Sequence, residues 1–455
     1  MASAKKAFFC NSCGYESPKW MGKCPSCDSW NSFIEELVQK PTAQVKSTFI
    51  SKNKEKIKPV LLQEIQAGTT MKTDTGDDEL NRVLGGGLVS GSLVLLGGQP
   101  GIGKSTLILQ LALRYKDKVL YVTGEESEEQ IKMRADRLSK VETRCHIYTE
   151  TNLTNILAEA QHMQPGLLII DSIQTVFNPL LDSSPGSISQ VKECTGDLQR
   201  FAKESNVPVI IISHITKDGV IAGPKLLEHI VDVVILFEGD QNYSYRILRT
   251  MKNRFGSTDE LGIYSMEADG LKEITNPSEI LLSQNEDELS GIAIAASMEG
   301  LRPLLIETQA LVTPSIFGTP QRSATGFDLR RLAMLLAVLE KRCGLPFGHM
   351  DVFLNLAGGI KISDPSIDLA IIASLISSLK DIHIGKNIAF TAEVGLSGEI
   401  RAVSRIEQRI QEAERLGFET IYISKYNTKG LSEKHKNIEI RWLSKLDDLL
   451  EEIFG

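Results

Sequence analysis

Leu93 to Thr106 reads LVLLGGQPGIGKST, and this stretch decides the fold. A short apolar strand runs into a glycine-rich loop, and Lys104-Ser105-Thr106 then opens an apolar helix, continuing ILQLAL. The Walker A pattern is complete: Gly98, then Gln99, Pro100, Gly101 and Ile102, then Gly103, Lys104 and Ser105. Glycines let backbone N–H groups turn inward around phosphate oxygens, and a helix N-terminus adds partial positive charge. Lys104 supplies a point charge for the β- and γ-phosphates of ATP, and Ser105 a hydroxyl for Mg²⁺. A plain glycine turn between strand and helix would not need lysine and serine in this register.

Downstream apolar runs mark further strands at Val119 to Thr123, Leu167 to Ile170, Val207 to Ser213 and Val231 to Phe237, with amphipathic helical segments between several of them. Such alternation implies an α/β domain around a parallel-rich sheet, with ligands beyond the C-terminal strand ends. LLIID ends in Asp171, a Walker B acid placed to hold Mg²⁺ directly or through water. LYVT ends in Gly124-Glu125-Glu126, where a carboxylate can orient and deprotonate the attacking water. Glu125 is preferred, Glu126 stays open, and a helix N-terminal acid favouring the dipole is the plainer reading. His214 follows VIIIS and can sense the γ-phosphate or serve only as a hydrogen-bonded loop histidine.

Four of the seven cysteines lie in the first 27 residues. Cys10-x-x-Cys13 and Cys24-x-x-Cys27 flank a ten-residue loop and can close a tetrahedral Zn²⁺ site. Redox pairs or an iron site are the alternatives. So short a segment has little core, so metal binding would drive its folding. Trp20 and Trp30 are expected to shelter the thiolates. Cys145, Cys194 and Cys343 read as free buried thiols. Residues 35–60 form a basic linker, and from Leu37 to Pro59 the lysines Lys46, Lys52, Lys54, Lys56 and Lys58 face only Glu55. It is either a solvated tether or an electrostatic contact with nucleic acid.

The 455 residues exceed one compact core. The expected domains are a ribbon at 1–34, the linker at 35–60, the ATPase domain at 61–276 and an α+β domain at 277–455. In the last, RRLAMLLAVLEKR forms a helix, Val352 to Leu356 a strand, Gly358-Gly359 a turn and Ile360 to Ile362 a return strand. Asp364 then caps a helix that has Pro365 at its first position. No apolar run approaches the ~18–20 residues of a membrane span. The N-terminus lacks a secretory apolar region, so a cytoplasmic setting is expected. A formal net charge of −8 confines any nucleic-acid contact to local patches.

GDDELNRVLGGGLVSGSLVLLGG resembles the lead-in of the RecA family's ATPase core. The two CxxC pairs, GGQPGIGKST, YVTGEES, SHITKDGVIAGPKLLEHIVD and the motif Lys252-Asn253-Arg254-Phe255-Gly256 together look like the bacterial RadA (Sms) family of recombination and repair proteins. The likeness covers nearly the whole chain apart from the linker. It implies a ring hexamer on single-stranded DNA, with branched intermediates and a RecA-type recombinase as partners. ATP would then sit between subunits, where Lys252 and Arg254 could reach a neighbour's phosphates or the DNA backbone. Alone, KNRFG would read as a basic loop after a strand at Tyr245 to Met251. The loop Lys217 to Lys225 fits a DNA-facing segment or a mobile surface loop.

SDPSIDLAIIASLISS and TAEVGLSGEIRAVSRIEQRIQEAERLGF resemble the Lon-type proteolytic domain, a fold like domain 2 of ribosomal protein S5. Ser366 falls at the serine of the Ser–Lys dyad, and Arg409 replaces the lysine. Arginine keeps its proton and cannot serve as the base. Ile367-Asp368 also replaces the small pair expected after that serine. The domain is therefore expected to be proteolytically inactive and to serve assembly and DNA contact, with Lys361, Lys386, Arg401, Arg405 and Arg409 as candidate cations or a solvated face. The function expected is an ATP-driven DNA motor in recombinational repair. The alternatives are a Lon-type ATP-dependent protease, and a nucleotide-switched scaffold resembling the KaiC branch of the RecA superfamily.

Overall fold

The computed structural model describes residues 5–10, 15–26, 28–38, 61, 72–139, 143–214, 227–239, 245–258, 260–282, 289–316, 318–359, 361–428, 431, 435 and 437–455. The chain divides into two compact units, Met1–Glu273 and Ile274–Gly455. The division falls three residues before the boundary expected after Asn276.

In the first unit a nine-stranded sheet runs in the order Cys145–Thr149, Val119–Thr123, Leu167–Asp171, Val209–His214, Leu93–Gly98, Val233–Glu238, Tyr245–Asn253, Leu261–Glu267, Gly270–Glu273. The first six strands are mutually parallel and the last three antiparallel. Strand alternation builds two cores from one sheet. Val94, Leu96, Tyr121, Ile169 and Ile210 pack one face against helices Asp78–Leu84, Lys104–Arg114 and Glu128–Leu138. Leu93, Leu95, Leu120, Leu168 and Ile211 pack the other against Leu153–Met163 and Ile188–Ser205. The edge strand Cys145–Thr149 and the two outermost antiparallel strands were not anticipated from sequence. The edge strand CHIYT has no fully buried position, so its composition resembles a loop.

The N-terminal ribbon is a three-stranded antiparallel sheet, Glu16–Ser17, Lys5–Cys10 and Phe33–Val38.

The second unit carries a seven-stranded mixed sheet in the order Arg322–Thr325, Met350–Leu356, Arg302–Pro314, Ile292–Glu299, Ile388–Thr391, Thr420–Ser424, Glu439–Leu443. Helix Leu329–Cys343 is capped by Asp328. Asp364 caps the turn Pro365–Ile367, which feeds the buried helix Asp368–Lys380. One expectation is corrected here. No return strand follows Met350–Leu356 among the described residues. Ala357–Gly359 form a 3₁₀ turn, and Arg322–Thr325 takes the pairing edge instead.

Candidate functional site

Four strand ends bring the nucleotide chemistry together. Gly103 opens helix Lys104–Arg114 with φ of 112°, a left-handed conformation that suits glycine, and no side chain caps this helix. Side chains cap the helices beginning at Asp78, Glu128, Leu153 and Ile188. The first-turn N–H groups after Gly103 therefore remain available to an anion. Lys104 is 3% exposed and donates to the carbonyls of Gly98 (2.7 Å) and Gln99 (2.9 Å). Burial lowers its pKa to about 8, against the pull of Asp171 and Glu125. Gln99 and Pro100 lie exposed on the loop, and Ser105 and Thr106 are half-buried in the first helical turn. Ile102 is buried, and its carbonyl accepts from Nε of the buried Arg246 at 3.2 Å.

Asp171 ends the Walker B strand, its carboxylate buried. Oδ2 accepts from the Tyr121 hydroxyl at 2.6 Å. Oδ1 is buried without a hydrogen-bond partner. Burial raises the Asp171 pKa, while hydrogen bonds from Tyr121 and Ser105 lower it. An oriented carboxylate with an unpartnered oxygen beside a serine hydroxyl is an oxygen donor set that fits Mg²⁺.

The structure separates the two adjacent glutamates. Glu125 turns toward the Walker loops, accepting from Ser172 Oγ and lying 3.0 Å from His214 Nε2. The His214 bond is the largest cause of its lowered pKa. Glu126 is paired with Arg134 on the following helix. His214 lies opposite Gly98 in the parallel register, and its Nδ1 is buried without a partner. Tyr121, Ser172, Arg134 and Arg246 were not singled out from sequence. The legible signal for Arg246 was a charge inside the apolar run YRILRTM.

The KNRFG motif sits at the other end of the sheet, and its first two residues close strand Tyr245–Asn253 rather than following it. Asn253 bridges the Leu84 carbonyl (3.2 Å) and the Phe255 N–H (2.8 Å). Phe255 packs on the core with the Lys203 ammonium 5.9 Å from its ring centre. A Cβ on Gly256 would come within 3.0 Å of Gly85 Cα. Lys252 donates to the carbonyls of Glu228 and Val231. Arg254 pairs with buried Asp232 at 3.2 Å. The Arg254 N–H bonds the Asp232 carbonyl, while Phe237 lies opposite Gly98. Five strand positions therefore separate Arg254 from the level of its own Walker loop, about 16 Å at ~3.3 Å per residue.

In the ribbon, Cys10 and Cys24 are fully buried, and Cys10 Sγ lies 3.1 Å from Ser32 Oγ. Cys13 and Cys27 lie outside the described residues, as do Lys217 and Lys225. Among the described residues no group of three possible ligands forms a metal cluster. Two buried thiols, one from each CxxC pair, are donors that suit Zn²⁺. The tryptophans do not shelter them: Trp20 is 54% and Trp30 72% exposed. Phe33 lies directly across the ladder from Cys10 and packs there with Phe8 and Met21.

In the second unit Ser366 and Arg409 do meet. Arg409 is 1% exposed and donates to Ser366 Oγ (2.6 Å), Asp364 Oδ2 (2.8 Å) and the Ala296 carbonyl (2.8 Å). Arg409 is thus withdrawn from any DNA-facing role, because a guanidinium so buried is held by its ion pair. Lys361 and Lys386 are exposed. Arg401 pairs with Glu399 and Glu393, and Arg405 bonds the Gly300 carbonyl. Asp368 is buried and accepts from Arg331 Nε at 2.7 Å, which explains a carboxylate at that position.

Fold and site define a P-loop ATPase with a RecA-like core, a zinc-ribbon module before it and a Lon-like domain after it. Residues 62–220 match the AAA domain, 8–35 the rubredoxin metal binding domain, and 345–455 the Lon protease (S16) C-terminal proteolytic domain. The chain is 48% identical to DNA repair protein RadA of Bacillus subtilis (strain 168), over 100% of both chains. It is 46% identical to that of Streptococcus pyogenes serotype M6, again over 100% of both, and 47% to that of Listeria monocytogenes serovar 1/2a, over 99% of both. The chain belongs to the RadA family of DNA repair proteins. Among the described residues no helix is long and apolar enough to cross a membrane.

Proposed function

We propose that this DNA repair ATPase is a cytoplasmic, DNA-stimulated motor. It works as a homo-hexameric ring on single-stranded DNA and extends branched recombination intermediates alongside a RecA-type recombinase. The observation that carries this reading is the separation of Lys252 and Arg254 from their own Walker loop. Cations at the far end of the sheet can serve a neighbouring subunit's nucleotide or the DNA, and not their own. The test is ATP hydrolysis with and without single-stranded DNA across a salt series. Strong stimulation that weakens with salt supports the motor, and turnover indifferent to DNA refutes it.

Within the site, Lys104 and the loop N–H groups hold the phosphates. Glu125, oriented by Ser172 and His214, places the attacking water and takes its proton. Asp171 and Ser105 would hold Mg²⁺, which offsets charge developing on the transferred phosphoryl. Because Lys104 titrates near pH 8 and a triphosphate favours its charged form, binding should raise its pKa. A non-hydrolysable ATP analogue is therefore expected to take up protons on binding at pH 8.5 but not at pH 6.5. Calorimetry in buffers of different ionisation heat checks this. Proton release at pH 8.5, or uptake that survives Lys104→Met, contradicts it.

The Lon-like domain is proposed to be proteolytically inactive and to serve assembly and DNA contact, through Lys361, Lys386 and Arg401. Ser366 is fully buried, accepts from the permanent cation Arg409 and donates to Asp364, so it has neither a lysine base nor access to a peptide. Casein digestion is expected to be nil. Removing Arg409 by Arg409→Ala strands Asp364 and is expected to destabilise this domain by about 3–5 kcal/mol, read by chemical denaturation. A loss below ~1 kcal/mol would show that the pair is dispensable.

The ribbon is proposed to bind one Zn²⁺ per chain through Cys10, Cys13, Cys24 and Cys27. Chelation is expected to release it while the ATPase core stays folded, because the core has its own two-faced sheet. Freshly purified protein without zinc, or core unfolding on chelation, would overturn this.

A further inference from the structure

We propose that Tyr121 is a positioning residue for the metal-holding carboxylate of Asp171, an inference that rests on assigning Asp171 to Mg²⁺. Tyr121 lies in the middle of the fully buried strand Val119–Thr123, among aliphatic neighbours. Its ring volume alone would be supplied by phenylalanine. Its hydroxyl is used instead on the diagonal cross-strand neighbour: Thr123 lies opposite Asp171 and Tyr121 opposite Ile169, so the ring points along the same face toward the strand end. There it donates to Asp171 Oδ2 at 2.6 Å.

The consequence is an asymmetric carboxylate. An ionised carboxylate only accepts, so the phenol must donate, and it engages Oδ2. The other oxygen, Oδ1, is buried without a partner. A rotating carboxylate would present either oxygen to the cation. Tyr121 removes that freedom by fixing Oδ2 and leaves Oδ1 as the oxygen open to the cation. Partners of this kind are typically worth 10–100-fold in metal affinity.

The experiment compares full-length parent, Tyr121→Phe and Asp171→Asn. Mn²⁺ serves as the probe, and its binding in the presence of ADP is read by electron paramagnetic resonance. Binding of ADP without divalent ion is measured alongside. Tyr121→Phe is expected to weaken Mn²⁺ binding about 10–100-fold while metal-free ADP affinity stays within about twofold. Turnover should recover in part as Mg²⁺ is raised. Mn²⁺ affinity within twofold of parent overturns the inference, as does an equal loss of metal-free ADP binding, which would show a merely structural tyrosine. If Asp171→Asn itself leaves Mn²⁺ binding intact, the assignment of Asp171 fails instead.

Discussion

Lys104→Ala is expected to lower ATP turnover by about 10²–10³-fold or more while the fold persists. The ammonium is the lysine cation that the Walker A pattern places at the phosphate loop. It is pre-placed by burial against the carbonyls of Gly98 and Gln99. Phosphoryl transfer builds charge where that cation stands, so the loss falls on the transition state more than on folding. Core packing does not depend on the amine, because Leu107, Ile108 and Leu111 anchor the same helix. Steady-state hydrolysis with circular dichroism checks both halves. Turnover within about twofold of the parent protein would remove this loop from the mechanism.

Arg254→Ala is expected to leave ATP affinity nearly intact and to cut DNA-stimulated turnover sharply, by about 10³–10⁵-fold if it acts as a trans arginine finger. Its guanidinium is half-exposed, and its partner Asp232 keeps Lys203 and the Leu93 N–H when it is removed. The fold should therefore survive. Equal losses of nucleotide binding and turnover would instead make Arg254 structural. Mixing Arg254→Ala with Lys104→Ala subunits gives the sharper result. Some mixed interfaces pair an intact Lys104 with an intact Arg254, so partial activity should return. No recovery in verified mixed rings would exclude the trans role and leave a DNA-contact role.

The Walker elements were legible because their chemistry is local. GQPGIGKS dictates its own loop and helix start, and LLIID is a buried strand whose terminal acid has few other uses. The three missed strands of the ATPase sheet were not legible, because edge and antiparallel strands have mixed composition. The tryptophans of the ribbon misled for a related reason. Bulk suggests burial, but which aromatic covers a thiol depends on ladder register, and register chose Phe33.

From sequence alone came the P-loop, the order of domains, the four-cysteine framework and the arginine in the protease position. Each rests on residue identity at short spacing, where chemistry constrains the choice. Only the tertiary structure decided between Glu125 and Glu126 as the carboxylate facing the loops. It did so through contacts 47 and 89 residues away, with Ser172 and His214, that no local pattern encodes. It likewise placed KNRFG at the sheet end opposite the Walker loop, withdrew Arg409 into a buried ion pair, and set Tyr121 on the Walker B acid. Those outcomes depend on strand order and register, which arise from how the whole sheet packs rather than from any one segment of chain.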